Sequence, residues 1–314
     1  MNDPLVSVCI GVYNRERHIR ECLESVLGQT YRDLEIVVVD NASTDRTAEV
    51  VQGYGDRVRL IRREVNSGMC STTRNEAVRQ ARGPLIAFLD SDDRWEPAKI
   101  EKQVRFLDDH PSIPLCHAYC REMDGRSEPG RIRHEGVVPP TGRCFDALLD
   151  HCWITISTVL MRRWLYDECG PFQEALPYGH MGEDYEFFLK VARRHEIGFL
   201  PEVLAHYRKE GAGISGGDWR GNPDAFPFFE CLRERGDLWQ GMVTARRMDE
   251  VLRRSARDSS QFWRDQGQGW RAAYFPWRMI RRRPWTSWAW TDLAKSLSRA
   301  GLPRGWWSDR GGAK

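Results

Sequence analysis

Pro84-Leu85-Ile86-Ala87-Phe88-Leu89-Asp90-Ser91-Asp92-Asp93 decides the fold of this chain. Five successive apolar residues after Gly83-Pro84 predict a short strand buried on both faces. The strand runs straight into three carboxylates within four residues. Carboxylates are poor strand formers and are rarely buried without partners. Set this close, they repel and raise one another's pKa. A cation held among them removes that cost. Mg²⁺ or Mn²⁺ takes oxygen ligands, commonly one or two carboxylates plus substrate phosphates. In open α/β sheets, ligands bind at the carboxyl ends of the strands. The stretch therefore predicts a metal–diphosphate site at 90–93. The alternative is an acidic turn in which Asp92 or Asp93 caps a helix from Glu96 onward.

The same order of strand, polar turn and helix repeats upstream. Leu5–Val12 is a β-rich run ending in Tyr13-Asn14, and Ile19, Cys22, Leu23, Val26 and Leu27 follow helical spacing up to Gly28. Leu34–Asp40 is a second strand, which also delivers a carboxylate at its carboxyl end. Asn41–Asp45 is a polar turn before a helix to about Gln52. Val58–Ile61 is a short third strand, and Cys70–Arg82 is a helix that Gly83-Pro84 breaks. Three such repeats predict a parallel α/β sheet with right-handed crossovers.

At 314 residues the chain has room for two domains, or for one large domain with an appendage. Its 47 basic and 45 acidic residues nearly balance, but residues 219–314 hold 19 Lys+Arg against 10 Asp+Glu, a local balance of +9. Ten of the 13 Trp also lie there, so composition marks a boundary near 218. The nine Cys are odd in number and lack zinc-finger spacing, which predicts reduced, packing thiols in a cytosolic protein. Asn2-Asp3-Pro4 lacks the basic start of a signal peptide, and no run approaches 18 apolar residues. The expected location is cytoplasmic, with peripheral contact at the inner face of the membrane as the second choice.

In order, the motifs are Tyr13-Asn14, Val37-Val38-Val39-Asp40-Asn41-Ala42-Ser43-Thr44-Asp45, Thr73-Arg74-Asn75-Glu76-Ala77 and Leu89–Asp93. Ser157–Arg163, Gly170-Pro171-Phe172 and Gly182-Glu183-Asp184-Tyr185-Glu186 follow. This order resembles the family 2 glycosyltransferases with the GT-A fold, over about residues 4–215. The resemblance implies a Rossmann-like mixed sheet flanked by helices, with a mainly helical C-terminal region. It implies a nucleotide-sugar half at 1–110, an acceptor half carrying the catalytic base at 111–218, and a helical region at 219–314. It also implies inverting transfer of a sugar, by single displacement, from a nucleotide diphosphate donor to an acceptor hydroxyl. A glycan, lipid-linked or small-molecule acceptor in polysaccharide or glycan biosynthesis is expected.

The resemblance gives each position a role. Asp40 contacts the base, as a carboxylate would accept the N3–H of uracil; thymidine is the runner-up. Val12 and Tyr13 line the base beside Asn14. Asp92 is the first choice for the metal. Asp90 contacts the ribose, or the metal through water, and Ser91 of the same turn belongs to the nucleotide-binding set. Arg74 suits phosphate or a carboxylate of the metal site. One carboxylate of the Glu183-Asp184 pair is the general base, with Asp184 preferred. Without the resemblance, a helix N-terminus is an ordinary place for both. Arg208 keeps a phosphate role. Glu210 stands where related enzymes often have a His, so His206 is read as a structural residue rather than a metal ligand. Gly211–Gly217 is expected to be a loop that closes over the donor.

Two other functions fit part of the pattern. A sugar nucleotidylyltransferase would need a Gly-rich N-terminal loop with a basic residue after it, and Gly11-Val12-Tyr13-Asn14 is not one. A degenerate, binding-only module is opposed by the joint presence of Asp40, Asp92 and Asp184. In 219–314, a helix is expected near Met242–Ser255. Trp263, Trp270, Trp277, Trp285, Trp288 and Trp290 are interleaved with Arg281-Arg282-Arg283. Packing of these helices back onto the catalytic domain through the Trp rings is favoured. An anionic membrane surface is second. Nucleic acid is last, since no binding module accompanies the charge.

Overall fold

The computed structural model describes residues 3–175, 182–210, 225–282 and 287–298. They fall into two compact units, the first ending with the described residues at 210 and the second beginning at 225.

Unit 1 is built on one mixed sheet, nine-stranded among the described residues. Its strands are β1 (Val6–Val12), β2 (Leu34–Asp40), β3 (Arg59–Arg62), β4 (Leu85–Phe88), β5 (Arg94–Trp95), β6 (Leu115–Met123), β7 (Pro129–Ile132), β8 (Leu160–Arg162) and β9 (Ile197–Arg208). They lie in the order β3-β2-β1-β4-β8-β6-β9-β5, with β7 on the side of β6. The pairs β2/β3, β1/β2 and β1/β4 are parallel, as strand–helix alternation requires. Short β8 is antiparallel to both β4 and β6 and so joins residues 1–110 to 111–218 in a single sheet. The register sets Val12 beside Asp40 and Asp40 beside Arg62, so the turns after β1 and β2 open at one edge. β4 is buried along its whole length, as its apolar run predicts.

The helices of unit 1 are α1 (Ile19–Leu27), α2 (Thr47–Gln52), α3 (Cys70–Gln80), α4 (Lys99–Asp109), α5 (Phe145–Leu148), α6 (Arg163–Cys169) and α7 (Glu183–Arg194). α1 buries Ile19, Cys22, Leu23 and Val26, the stripe read from its sequence. α3 differs, because it buries a polar face of Ser71, Thr72, Thr73, Arg74 and Asn75. Buried polar groups need partners, and Asn75 has four. Its Nδ2 donates to Phe172 O (2.9 Å) and Glu174 Oε1 (2.8 Å), and its Oδ1 accepts from the Tyr166 hydroxyl (2.7 Å) and Phe172 N (3.0 Å). This rivets α3 to the Gly170-Pro171-Phe172 loop. α3 approaches β1 closely enough that a Cβ on Gly11 would overlap the Thr73 hydroxyl, so glycine is required there.

Unit 2 is helical: α8 (Ala225–Glu234), α9 (Gly236–Trp239), α10 (Ala245–Asp265), α11 (Gly269–Arg282) and α12 (Ser287–Ser298). The helix expected near Met242–Ser255 begins at Ala245, capped by the Thr244 hydroxyl, and runs ten residues further. Here Trp and Arg pair with one another. Arg257 lies over Trp288 (4.5 Å), Arg271 over Trp263 (4.5 Å) and Arg281 over Trp277 (5.0 Å). Trp290 is half exposed. Trp285 and Arg283 lie outside the described residues. Among the described residues no helix is long and apolar enough to cross a membrane.

Candidate active site

The acidic turn after β4 is held by residues from later in the chain. The Ser157 hydroxyl accepts the amide of Asp90 (3.1 Å) and donates to Asp93 Oδ2 (2.5 Å). The amide of Arg208 donates to Asp93 Oδ1 (2.9 Å). Asp93 is thus turned inward and fully buried; burial, with Asp90 and Asp92 adding, pushes its pKa well up. It anchors the turn. Neither Asp92 nor Asp93 caps a helix at Glu96, because Arg94–Trp95 pairs with β9 and α4 begins only at Lys99.

Arg208 works beneath the same turn. Nε donates to Asp92 O (2.8 Å), Nη1 to Asp124 O (2.9 Å), and Nη2 to Glu21 Oε2 (2.5 Å) and Ser127 Oγ (3.1 Å). Its side chain is 2% exposed. A guanidinium so engaged supports the loop from below, and the phosphate role expected from sequence is not the one its contacts describe. His206, two residues back on β9, meets Glu96 through Nε2 at 2.5 Å, in keeping with a structural residue.

Asp90 and Asp92 face the other way. Asp90 Oδ1 accepts from Arg74 Nη2 (2.7 Å), and Asp92 Oδ2 accepts from Arg15 Nε (3.1 Å). Their side chains are 32% and 30% exposed. Each keeps one oxygen outside its ion pair. Two such oxygens fit a hard cation that takes its other ligands from a diphosphate and water. Among the described residues no group of three or more His, Cys, Asp or Glu side chains is arranged to hold a metal alone. Ser91 is buried in the turn between them.

Arg74 extends across the site. Its Nη1 donates to Glu183 Oε1 at 2.6 Å while Nη2 holds Asp90. The residues of these two ion pairs are far apart in sequence, yet one guanidinium joins both carboxylates. Of the two uses the sequence allowed Arg74, the carboxylate is the one seen. Burial raises the Glu183 pKa to about 7 against the pull of Arg74. The two acids, with Asp184, keep the guanidinium charged despite its burial. Gly182 precedes α7 in the left-handed conformation (φ 95°), and Glu183 and Asp184 form the first turn of the helix. Asp184 is half-buried, and one oxygen accepts from the amide of Tyr185 (2.7 Å). Burial raises its pKa too.

At the edge of the sheet, Asn14 is held in the left-handed region (φ 50°). Its amide donates to Ser43 Oγ (3.0 Å) and its Oδ1 accepts the amide of Thr44 (2.8 Å), which clamps the turns after β1 and β2 together. Asp40 is fully buried; Oδ1 accepts from Ser43 N (3.0 Å) and Oδ2 faces Arg62 Nε at 3.4 Å. Val12 is buried and Tyr13 is 41% exposed. The structure therefore gathers Tyr13, Asn14 and Asp40 at one edge, and Asp90, Arg74 and Glu183 along one chain of contacts, with Asp184 next to Glu183 in sequence and Asp92 paired to Arg15. Arg15, Asn75 and Ser157 were not read from sequence as site residues, although each lies in or beside a quoted motif. The 211–217 loop lies outside the described residues.

The site thus sets an acidic turn at the carboxyl ends of the parallel strands and joins it through Arg74 to Glu183 of a second acidic pair. The family model described as Glycosyl transferase family 2 matches residues 7–170. A glycosyltransferase of Rickettsia prowazekii (strain Madrid E) is 30% identical over 262 residues, covering 79% of this chain and 74% of the relative. TuaG of Bacillus subtilis (strain 168), named for teichuronic acid biosynthesis, is 30% identical over 221 residues, covering 69% of this chain and 84% of TuaG. Among solved structures, S. aureus TarS 1-349 in complex with UDP-GlcNAc superposes with a TM-score of 0.64 at 23% identity, covering 93% of this chain and 89% of that 1-349 chain. The chain belongs to glycosyl transferase family 2.

Proposed function

We propose that this glycosyltransferase moves a sugar from a UDP-sugar to an acceptor hydroxyl in glycan biosynthesis, with inversion and with Mg²⁺ or Mn²⁺. The observation that supports the proposal is the Arg74 bridge, which joins Asp90 of the acidic turn to Glu183, the neighbour of the proposed base Asp184. Asp90 and Asp92 would hold the cation, whose contribution is to neutralise the departing diphosphate. Tyr13 would receive the base together with Asp40, whose Oδ2 would exchange its long contact to Arg62 for the base, within turns that Asn14 holds in register. Asp184 takes the proton from the acceptor hydroxyl. Glu183 suits that step less well, because Arg74 already occupies it. The bound complex of TarS supports a uridine donor by analogy of fold. The nine free cysteines support a reducing, cytoplasmic setting.

Calorimetry with UDP, dTDP and GDP, with and without Mn²⁺, tests the donor. UDP binding that strengthens with Mn²⁺ is expected; indifference to Mn²⁺, or preference for GDP, would refute this reading. Asp184→Asn is expected to lower kcat by about 10²–10⁴, the usual share of a positioned base, with UDP affinity unchanged. Equal loss of UDP binding would move Asp184 to the donor site. A product that retains the donor's anomeric configuration would remove the single-displacement mechanism.

A further inference from the structure

Arg15 has no role yet. It follows Tyr13-Asn14 at the carboxyl end of β1, and its amide donates to Thr47 Oγ1 (2.8 Å) at the start of α2, which fixes its backbone. The side chain crosses to the acidic turn, where Nε meets Asp92 Oδ2 at 3.1 Å. Nη1 donates to Asn14 O at 3.2 Å and reaches Tyr13 O at 3.5 Å. Nη2 has no hydrogen-bond partner among the described residues, and the side chain is 38% exposed. A guanidinium therefore spans the gap between the turn that lines the base and the carboxylate best placed for the cation. In a nucleotide diphosphate, the phosphates occupy that interval.

We propose that Arg15 is a ligand of the donor diphosphate, serving Asp92 as counter-ion until the donor arrives. The proposal rests on the donor and cation assigned above. An exposed, singly bonded ion pair is weak, so a divalent cation displaces the guanidinium from Asp92. The released fork stays anchored near the Asn14 carbonyl, beside phosphate oxygens that it is shaped to bind. Arg74 cannot do this work, since both of its ends are held by buried or half-buried carboxylates. Arg208 cannot either, because its guanidinium is enclosed. Arg15 alone of the three combines charge, exposure and a free donor.

The exchange makes two opposite predictions for Arg15→Gln, which removes the charge at a surface position. Mn²⁺ alone, followed through the electron paramagnetic resonance of the free ion, binds the variant about three- to tenfold more tightly than the wild type, because a competing cation is gone. UDP at saturating Mn²⁺, followed by calorimetry, binds the variant about tenfold more weakly, because a charge-assisted phosphate contact is lost. A variant that shows neither change, or only one, overturns the exchange. A wild type that binds no UDP with Mn²⁺ defeats the donor assignment itself, and this inference with it.

Discussion

Arg74→Met removes a charge that two carboxylates share and leaves the volume nearly filled. Glu183 is 8% exposed and Asp90 32%, so water can replace the guanidinium at Asp90 but not at Glu183. Breaking a buried pair by removing one partner costs about 3–5 kcal/mol. Here protonation limits the penalty. Without Arg74, the folded-state pKa of Glu183 rises beyond its value of about 7, while the unfolded value stays near 4.5. The folded variant then binds a proton that the unfolded chain releases between these limits, so its stability falls as pH rises through that window. The loss is expected to be about 2 kcal/mol at pH 6 and about 4 kcal/mol at pH 9. Because the chain has two units, one unfolding curve mixes their contributions. Hydrogen exchange in α3 and α7 peptides reports unit 1 directly. Exchange should accelerate about 30-fold at pH 6 and about 10³-fold at pH 9, relative to wild type at the same pH, given a factor of ten per 1.4 kcal/mol. Adding Glu183→Gln should recover part of the loss at pH 9. Protection within threefold of wild type at both pH values, or a double variant weaker than the single, would refute the argument.

Asp40→Ala is expected to weaken UDP by about 1.5–3 kcal/mol, the worth of a hydrogen bond to a charged group; calorimetry at wild-type affinity would make Asp40 purely a turn residue. Asp92→Asn should abolish the Mn²⁺ dependence of UDP binding and leave the fold intact, whereas Asp93→Ala should destabilise unit 1 by orphaning the Arg208 amide and the Ser157 hydroxyl. Equal circular-dichroism melts for the two variants would contradict this division. Lys99 is fully buried beside Gln103 and Trp95, and burial lowers its pKa to about 7 from 10.5. The unfolded chain binds the extra proton between those values, so stability rises with pH across that window. Lys99→Met should flatten the rise in urea midpoint from pH 7 to 10, and an unchanged slope would refute it. Full-length protein is expected to ignore anionic liposomes at low salt, since its Trp rings already stack with Arg of the same unit; tight sedimentation with them would restore the membrane reading.

The parts of the fold that obey a period were legible in the sequence. β2 begins and ends where its residues announce it, and α1 buries the stripe that its spacing marks. The long-range pairings were not, because nothing periodic encodes them. Three aspartates in a row of four look alike as letters. Only the fold separates Asp93, bonded inward to Ser157, from Asp90 and Asp92, which share the cleft with arginines. Arg15 reads as a surface charge until β1 and β4 are set side by side. Asn75 reads as an unfavourable helix residue until Phe172 and Tyr166 arrive to satisfy it.

The clearance at Gly11 bears on how such a chain fails. α3 carries Arg74 near its start and rests on β1 through a contact that leaves no room for a methyl group. Gly11→Ala would lever the helix outward, and the first groups displaced would be those at its amino end. A fault with no ligand contact of its own would then present as a catalytic defect, in a protein whose overall shape had hardly changed. Loss of function at this position would thus be a poor guide to what touches the sugar, and a good gauge of how finely the helix must be seated.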